Sequence, residues 1–206
     1  MSKIIKTCVY RMFKSLDKEF FDRNLEASKQ CGAVATMCIL IGNFLYCVNL
    51  GDCRSVLCRE GRAVNLSVDH KATLPSEVER IKKVGGYVSQ GRLFGRLMIT
   101  RAFGDFELKL KQDMELNFHN VNYVSIDPDV RYMKVNFKED RFLFLASDGV
   151  FDKMSSQEAC DFITQELDAC PPGKQDLRAI GKKLAEHVIH AKRVKDNVTI
   201  IIVAFW

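Results

Sequence analysis

The 206-residue sequence contains no CxxC pair and no zinc-like ligand spacing, although it carries eight cysteines at positions 8, 31, 38, 47, 53, 58, 160 and 170. Scattered mostly within apolar runs, these read as free thiols of a reducing compartment, either cytoplasm or nucleus. The basic opening, residues 1–14, is broken repeatedly by polar residues, so it has no apolar stretch of the kind a secretory signal needs. Residues 34–50 form the most apolar stretch. It is short and is interrupted by Gly42-Asn43 and Asn49, which favours two core strands over a membrane span. There is no internal repeat and no low-complexity segment. A net charge of +5 and a basic run at residues 178–195 come without a nucleic-acid motif or an aromatic platform, so a solvated helix face is the better reading and no nucleic-acid or membrane partner is expected.

What is present is the composition of a folded protein: 47% hydrophobic and 28% charged residues over a length that suits one domain, 1–206. Phe13, Leu16, Phe20, Phe21 and Leu25 recur at helical spacing and predict an opening helix over 10–29. From residue 34 the pattern changes to short apolar runs divided by Gly42-Asn43 and Glu60-Gly61, the signature of an antiparallel meander. Pro75 suits the first turn of a helix and Gly85-Gly86 its stop. Residues 107–122 read as a polar surface loop. Residues 141–146 read as a strand, and Ser155-Ser156-Gln157-Glu158 as a capping box opening a helix. A second helix is expected to bury Leu177, Ile180, Leu184 and Val188. Residues 198–205 read as a final strand, apolar enough for the middle of a sheet.

Three acids stand at strand ends. Asp148 follows the strand that ends at Ala146, Asp196 precedes the last strand, and Asp52 follows Leu50-Gly51. If the two later strands pair antiparallel, Asp148 and Asp196 share one edge, and Asp52 could join them. Clustered carboxylates repel unless a hard divalent cation, Mg²⁺ or Mn²⁺, accepts their oxygens. Taken singly, Gly-Asp and Asp-Gly are ordinary turn dipeptides.

Five blocks taken together carry more information. They are Leu50-Gly51-Asp52-Cys53-Arg54; Asp69-His70-Lys71 with Glu79-Arg80-Ile81 and Gly85-Gly86; Leu97-Met98-Ile99-Thr100-Arg101-Ala102-Phe103-Gly104-Asp105; Ala146-Ser147-Asp148-Gly149-Val150-Phe151-Asp152; and Lys195-Asp196-Asn197-Val198-Thr199. In this order they resemble the type 2C (PPM) metal-dependent protein serine/threonine phosphatases, from about Cys31 to Trp206. The resemblance implies an α+β fold, an antiparallel β-sandwich flanked by helices. It also implies hydrolysis of phosphoserine and phosphothreonine in phosphoproteins by a metal-activated water, with Asp148 and Asp196 as ligands of catalytic Mg²⁺ or Mn²⁺ and Asp52 at a weaker third metal.

The family's upstream Arg and acidic cluster and its Asp-Gly-His-Gly-Gly stretch do not occur in this sequence. The resemblance therefore implies a sandwich lacking its N-terminal strands, weakened metal binding, and a partner chain covering the missing strands. A pseudophosphatase that binds without hydrolysing is the alternative. Asp17 and Asp22 are expected on the polar, solvated face of the first helix. Asp105 is expected to hold backbone turns with Arg101 as companion, His70 to be structural, and His187 and His190 to form a surface pair. Cys53 is a redox candidate only if exposed.

Overall fold

The computed structural model describes residues 2–112, 118–171 and 173–205. The chain forms two compact units. The first comprises Met1–Ala35, Val48–Asp52 and Asp69–Val130, and the second Thr36–Cys47, Cys53–Val68 and Arg131–Trp206.

The two larger sheets are built mainly from the second unit. Their seven strands are β1 (Ala35–Ile41), β2 (Phe44–Leu50), β3 (Arg54–Arg59), β4 (Arg62–Asn65), β5 (Asp129–Lys134), β6 (Asp140–Ala146) and β7 (Ile200–Ala204). One sheet has the order β5-β2-β1 and the other β7-β6-β3-β4. In the larger sheet β6 pairs antiparallel with β3 and with β7, with Leu143 opposite both Leu57 and Val203. Alternation along β6 explains why this strand reads as continuously apolar: it buries both faces. Leu143 and Leu145 join Leu45, Cys47, Leu57, Leu66 and Val135 between the sheets. Phe142, Phe144 and Ala146 face the other way, towards the helices.

The helices covering that second face in this unit are Ser156–Asp168 and Leu177–Glu186. The first opens with the expected capping box: Ser155 accepts from the Glu158 amide while the Glu158 carboxylate accepts from the Ser155 amide. Ala159, Cys160, Ile163 and Leu167 from this helix and Ile180 and Leu184 from the next complete the core. Full burial of Phe142 and Phe144 is worth roughly 1.5–3 kcal/mol each. The sandwich flanked by helices is the architecture the sequence leads one to expect, with one correction. The last strand is not central, because β7 stands at the end of its sheet.

In the first unit the opening helix is longer than expected and is broken. It runs over Ser2–Arg23, Asn24 departs from helical geometry at φ −141°, and a short helix follows at Leu25–Gln30. The buried stripe is also displaced. Val9, Phe13 and Asp17 are buried at i, i+4 spacing, whereas Leu16 and Leu25 are exposed. The Phe13 ring packs tilted against Phe103 at 4.9 Å, and the Phe21 ring against Phe106 at 4.7 Å. Residues 107–122 are not a plain loop, since a 3-10 turn at Phe106–Leu108 leads into an antiparallel pair, Leu110–Gln112 with Phe118–Asn120. The middle of that segment lies outside the described residues. The helix Pro75–Lys83 starts on its proline and ends at Val84 before Gly85, as expected, and buries Ile81 against Leu93, Ala102 and Val124.

Candidate active site

In the second unit, the antiparallel pairing of β6 and β7 brings the segment around Asp148 against the segment around Asp196. Ala146 lies opposite Ile200. One step further, the Ser147 amide donates to the Thr199 carbonyl at 3.1 Å. The Ser147 hydroxyl donates to the Asn197 carbonyl at 3.2 Å and accepts from the Thr199 amide at 3.1 Å. Gly149 then lies so close to Asn197 that a Cβ there would meet its carbonyl oxygen at 2.5 Å, which is why only glycine follows Asp148 without displacing the backbone. Asp148 opens a four-residue helix, Asp148–Phe151, and is partly buried, while Asp196 is exposed and accepts from the Asn197 amide at 2.7 Å. The Arg54 guanidinium lies 4.4 Å over the Phe151 ring and donates to Ser156, bracing this short helix from the neighbouring strand β3.

The sequence-derived acids thus divide. Asp148 and Asp196 share one edge of the larger sheet. Asp52 belongs to the first unit, where it is buried just beyond Gly51. Gly51 itself has φ +99°, and a Cβ there would fall 2.1 Å from Val34 Cγ1. Among the described residues, no group of three or more His, Cys, Asp and Glu side chains is arranged to hold a metal. The carboxylate oxygens of Asp148 and Asp196 are hard donors of the kind a divalent cation takes.

The first unit contains a polar network that the sequence reading missed. Glu77 is almost fully buried and holds two arginines: Oε1 accepts from Arg101 at 2.7 Å, and Oε2 accepts from Arg80 at 3.0 Å and from the Thr100 hydroxyl at 2.7 Å. Burial by itself would raise the Glu77 pKa, but the bonds from Arg101 and Thr100 and the two guanidinium charges outweigh it and hold the group at about 2. Arg80 also reaches the carbonyls of Thr100, Asn122 and Tyr123. Arg101 donates to the Asp127 carbonyl and to Asp129, so its partners are these and Glu77 rather than Asp105. Asp105 takes a left-handed backbone at φ 52°, its amide donates to the Cys31 carbonyl, and burial raises its pKa. A lone Glu77 on an amphipathic helix looks solvated in sequence. The sign available there was Arg80, one turn on, within the Glu79-Arg80-Ile81 block.

His70 is structural, as expected. It is buried, Nδ1 accepts from the Gly51 amide at 3.1 Å, and Nε2 faces Asp129 at 3.4 Å. The proton therefore sits on Nε2. Asp22 is exposed and paired with Lys18, whereas Asp17, placed by the sequence on the solvated face, is buried and bonded to Gly104 and Lys109. His187 rests on Phe162 at 5.1 Å and His190 is exposed; both lie in a π-helical stretch, His187–Ala191. Cys53 is partly buried.

The family model described as Protein phosphatase 2C matches residues 3–198. The chain belongs to the protein phosphatase 2C family. It is 34% identical over 203 residues to a probable protein phosphatase 2C of Arabidopsis thaliana, covering 98% of this chain and 46% of that protein. It is also 36% identical over 198 residues to a protein phosphatase 2C homolog of Hypocrea jecorina, covering 94% of this chain and 43% of that protein. Among solved structures, a serine-threonine phosphatase 2C from Toxoplasma gondii superposes with a TM-score of 0.78 at 25% identity, covering 100% of this chain and 68% of that one. A C. elegans sex determining protein, at 20% identity and a TM-score of 0.79 over 96% of this chain and 46% of that one, shares the fold. This protein phosphatase 2C chain spans about half the length of the curated relatives it matches.

Proposed function

We propose that this chain carries part of the catalytic apparatus of a metal-dependent protein serine/threonine phosphatase acting on phosphoserine and phosphothreonine in phosphoproteins. The supporting observation is the junction at the end of β6 and the start of β7, where the Ser147 hydroxyl donates to the Asn197 carbonyl and accepts from the Thr199 amide, tying the segments that carry Asp148 and Asp196. These carboxylates would hold Mg²⁺ or Mn²⁺, and Asp52 would serve a weaker site. A bound ion of this kind acidifies water and neutralises phosphate charge. The chain's own part is positional: Ser147 and Gly149 fix the turn, and Arg54 braces the helix that begins at Asp148. In this reading the protein works in the cytoplasm or nucleus. No described helix is long and apolar enough to cross a membrane.

The absence of a three-donor group among the described residues favours a second reading, a pseudophosphatase that binds phosphoproteins without turnover. Hydrolysis of a phosphothreonine peptide in Mn²⁺ separates the two. Turnover that disappears in Asp148→Ala supports the phosphatase. Turnover no higher than that of the variant, with the peptide still bound, supports the binding module.

A further inference from the structure

Cys38 and Cys47 face each other across the hairpin of β1 and β2. Only Gly42 and Asn43 separate these paired strands, so counting outward from Ile41 and Phe44 sets Cys38 opposite Cys47. In so tight a hairpin the pair next to the turn is hydrogen-bonded. The fourth pair, Cys38 with Cys47, is then a non-bonded one, whose Cα atoms stand about 4.5 Å apart with the side chains close. That separation lies within the range a disulfide spans. Both cysteines pack into the core between the sheets, with Leu45, Leu57 and Leu145, and the Cys38 thiol bonds to the Cys47 sulfur.

The two thiols are not equivalent. The bond from Cys38 lowers the Cys47 pKa against the effect of burial, and Ser55 and the Arg131 charge pull it the same way. Cys38, as the donor, is raised by that bond first and by burial second. The first proton lost by the pair therefore leaves Cys47, which makes that sulfur the nucleophile. Cys47 can also be reached: with Leu45, Val64, Leu66, Arg131 and Met133 it lines a groove of about 190 Å³, ample for a molecule of two oxygens. A second thiol pair, Cys58 with Cys160, is wholly buried in the core beneath the helix Ser156–Asp168.

We propose that Cys47 and Cys38 form an oxidation site that takes a peroxide, with Cys47 attacking and Cys38 resolving. The Cys47 thiolate attacks one peroxide oxygen, the O–O bond breaks, and hydroxide leaves with the bonding pair and takes up the Cys47 proton as water. Cys47 is left as a sulfenic acid. The Cys38 sulfur then attacks the Cys47 sulfur. An S–S bond forms, the S–O bond breaks, and the departing hydroxide combines with the Cys38 proton as a second water. Two thiols give up two electrons, hydrogen peroxide accepts them, and the products are one disulfide and two waters. Arg131, exposed at the rim, stabilises the thiolate and the leaving hydroxide. This chemistry goes beyond the phosphatase reading and needs no open strand edge. It is read as a mass, independently of any turnover at Asp148 and Asp196.

The test treats the whole chain with hydrogen peroxide and maps it by mass spectrometry after chymotrypsin, which cuts at Tyr46 between the two cysteines. The expected product is a disulfide between Cys38 and Cys47 of one chain, lighter by two hydrogens and reversed by dithiothreitol. Cys38→Ser should leave added oxygen on Cys47 and no disulfide there. Cys47→Ser should leave Cys38 reduced. Arg131→Ala, a change at an exposed position, should slow disulfide formation several-fold, and it keeps the test decisive if serine disturbs the hairpin. Cys47 still reduced after the exposed Cys8 and Cys31 have been oxidised would overturn the proposal. So would a disulfide between Cys58 and Cys160 that forms first, or oxidation of Cys38 at the wild-type rate in Cys47→Ser.

Discussion

The Lys109 ammonium lies 2.7 Å from the Asp17 carboxylate with both side chains almost fully buried. The same ammonium donates to the Ala102 carbonyl at 2.8 Å, and the other Asp17 oxygen accepts from the Gly104 amide at 2.7 Å. Burial pulls the Lys109 pKa down, and Asp17 opposes the shift. The pair joins the opening helix to the short strand Phe103–Gly104. Removing one partner leaves an unpaired charge in a dry site, at a cost of roughly 3–5 kcal/mol. Asp17→Ala should therefore lower the urea midpoint sharply, while Asp22→Ala, on the solvated side, should move it by no more than about 0.5 kcal/mol equivalent. Equal effects would contradict the assigned geometry.

Acid should weaken the Glu77 network. A carboxylate held at about 2 against an ordinary value of 4.5 contributes stability that is complete above its unfolded pKa and is lost as pH falls through the folded one. The window runs from pH 4.5 down to about 2, and the contribution is about 3 kcal/mol. A ¹³C titration of the Glu77 carboxyl group should show its midpoint near the lower end. A midpoint close to 4.5 would mean that Arg80 and Arg101 do not hold it as described.

Ser147→Ala tests the junction. The variant loses two hydrogen bonds, each worth roughly 0.5–1.5 kcal/mol, and frees the Asn197 and Thr199 segments to move apart. Mn²⁺ titration should show affinity reduced about tenfold with the thermal midpoint only slightly lowered. Undiminished Mn²⁺ binding would separate the junction from the metal.

Two glycines at positive φ should respond unequally to alanine. At Gly42, with φ +60°, no atom lies within 4 Å of the added Cβ, so Gly42→Ala should cost only about 1 kcal/mol of backbone strain. At Gly51 the methyl group meets Val34 at 2.1 Å, so Gly51→Ala should cost several-fold more in denaturant unfolding. Similar losses would show that conformation rather than space governs both.

The hairpins of residues 35–50 and 54–65, the Pro75 helix, the Ser155 capping box and the strands β6 and β7 were legible in one dimension, because each rests on local periodicity or on turn residues at short spacing; the single meander expected over the two hairpins is instead divided between two sheets. Asp17 was misread for a related reason. An acid among Lys14, Lys18 and Glu19 looks solvated until Lys109, 92 residues on, is brought to it. The apolar run ending at Ala204 pointed to a central strand because composition records how much a strand can bury, not how many neighbours it has. Only the sheet order placed β7 at an edge.

The sequence by itself determined where the Pro75 helix, the Ser155-capped helix and the β6 strand lie and that the chain carries the protein phosphatase 2C blocks in order, since those are properties of adjacent residues. The tertiary structure alone decided that Glu77 clamps Arg80 and Arg101, that Asp17 is buried, and that Ile201 and Val203 stay open to solvent. Charge pairing and burial depend on residues distant in the chain, and folding alone sets those distances.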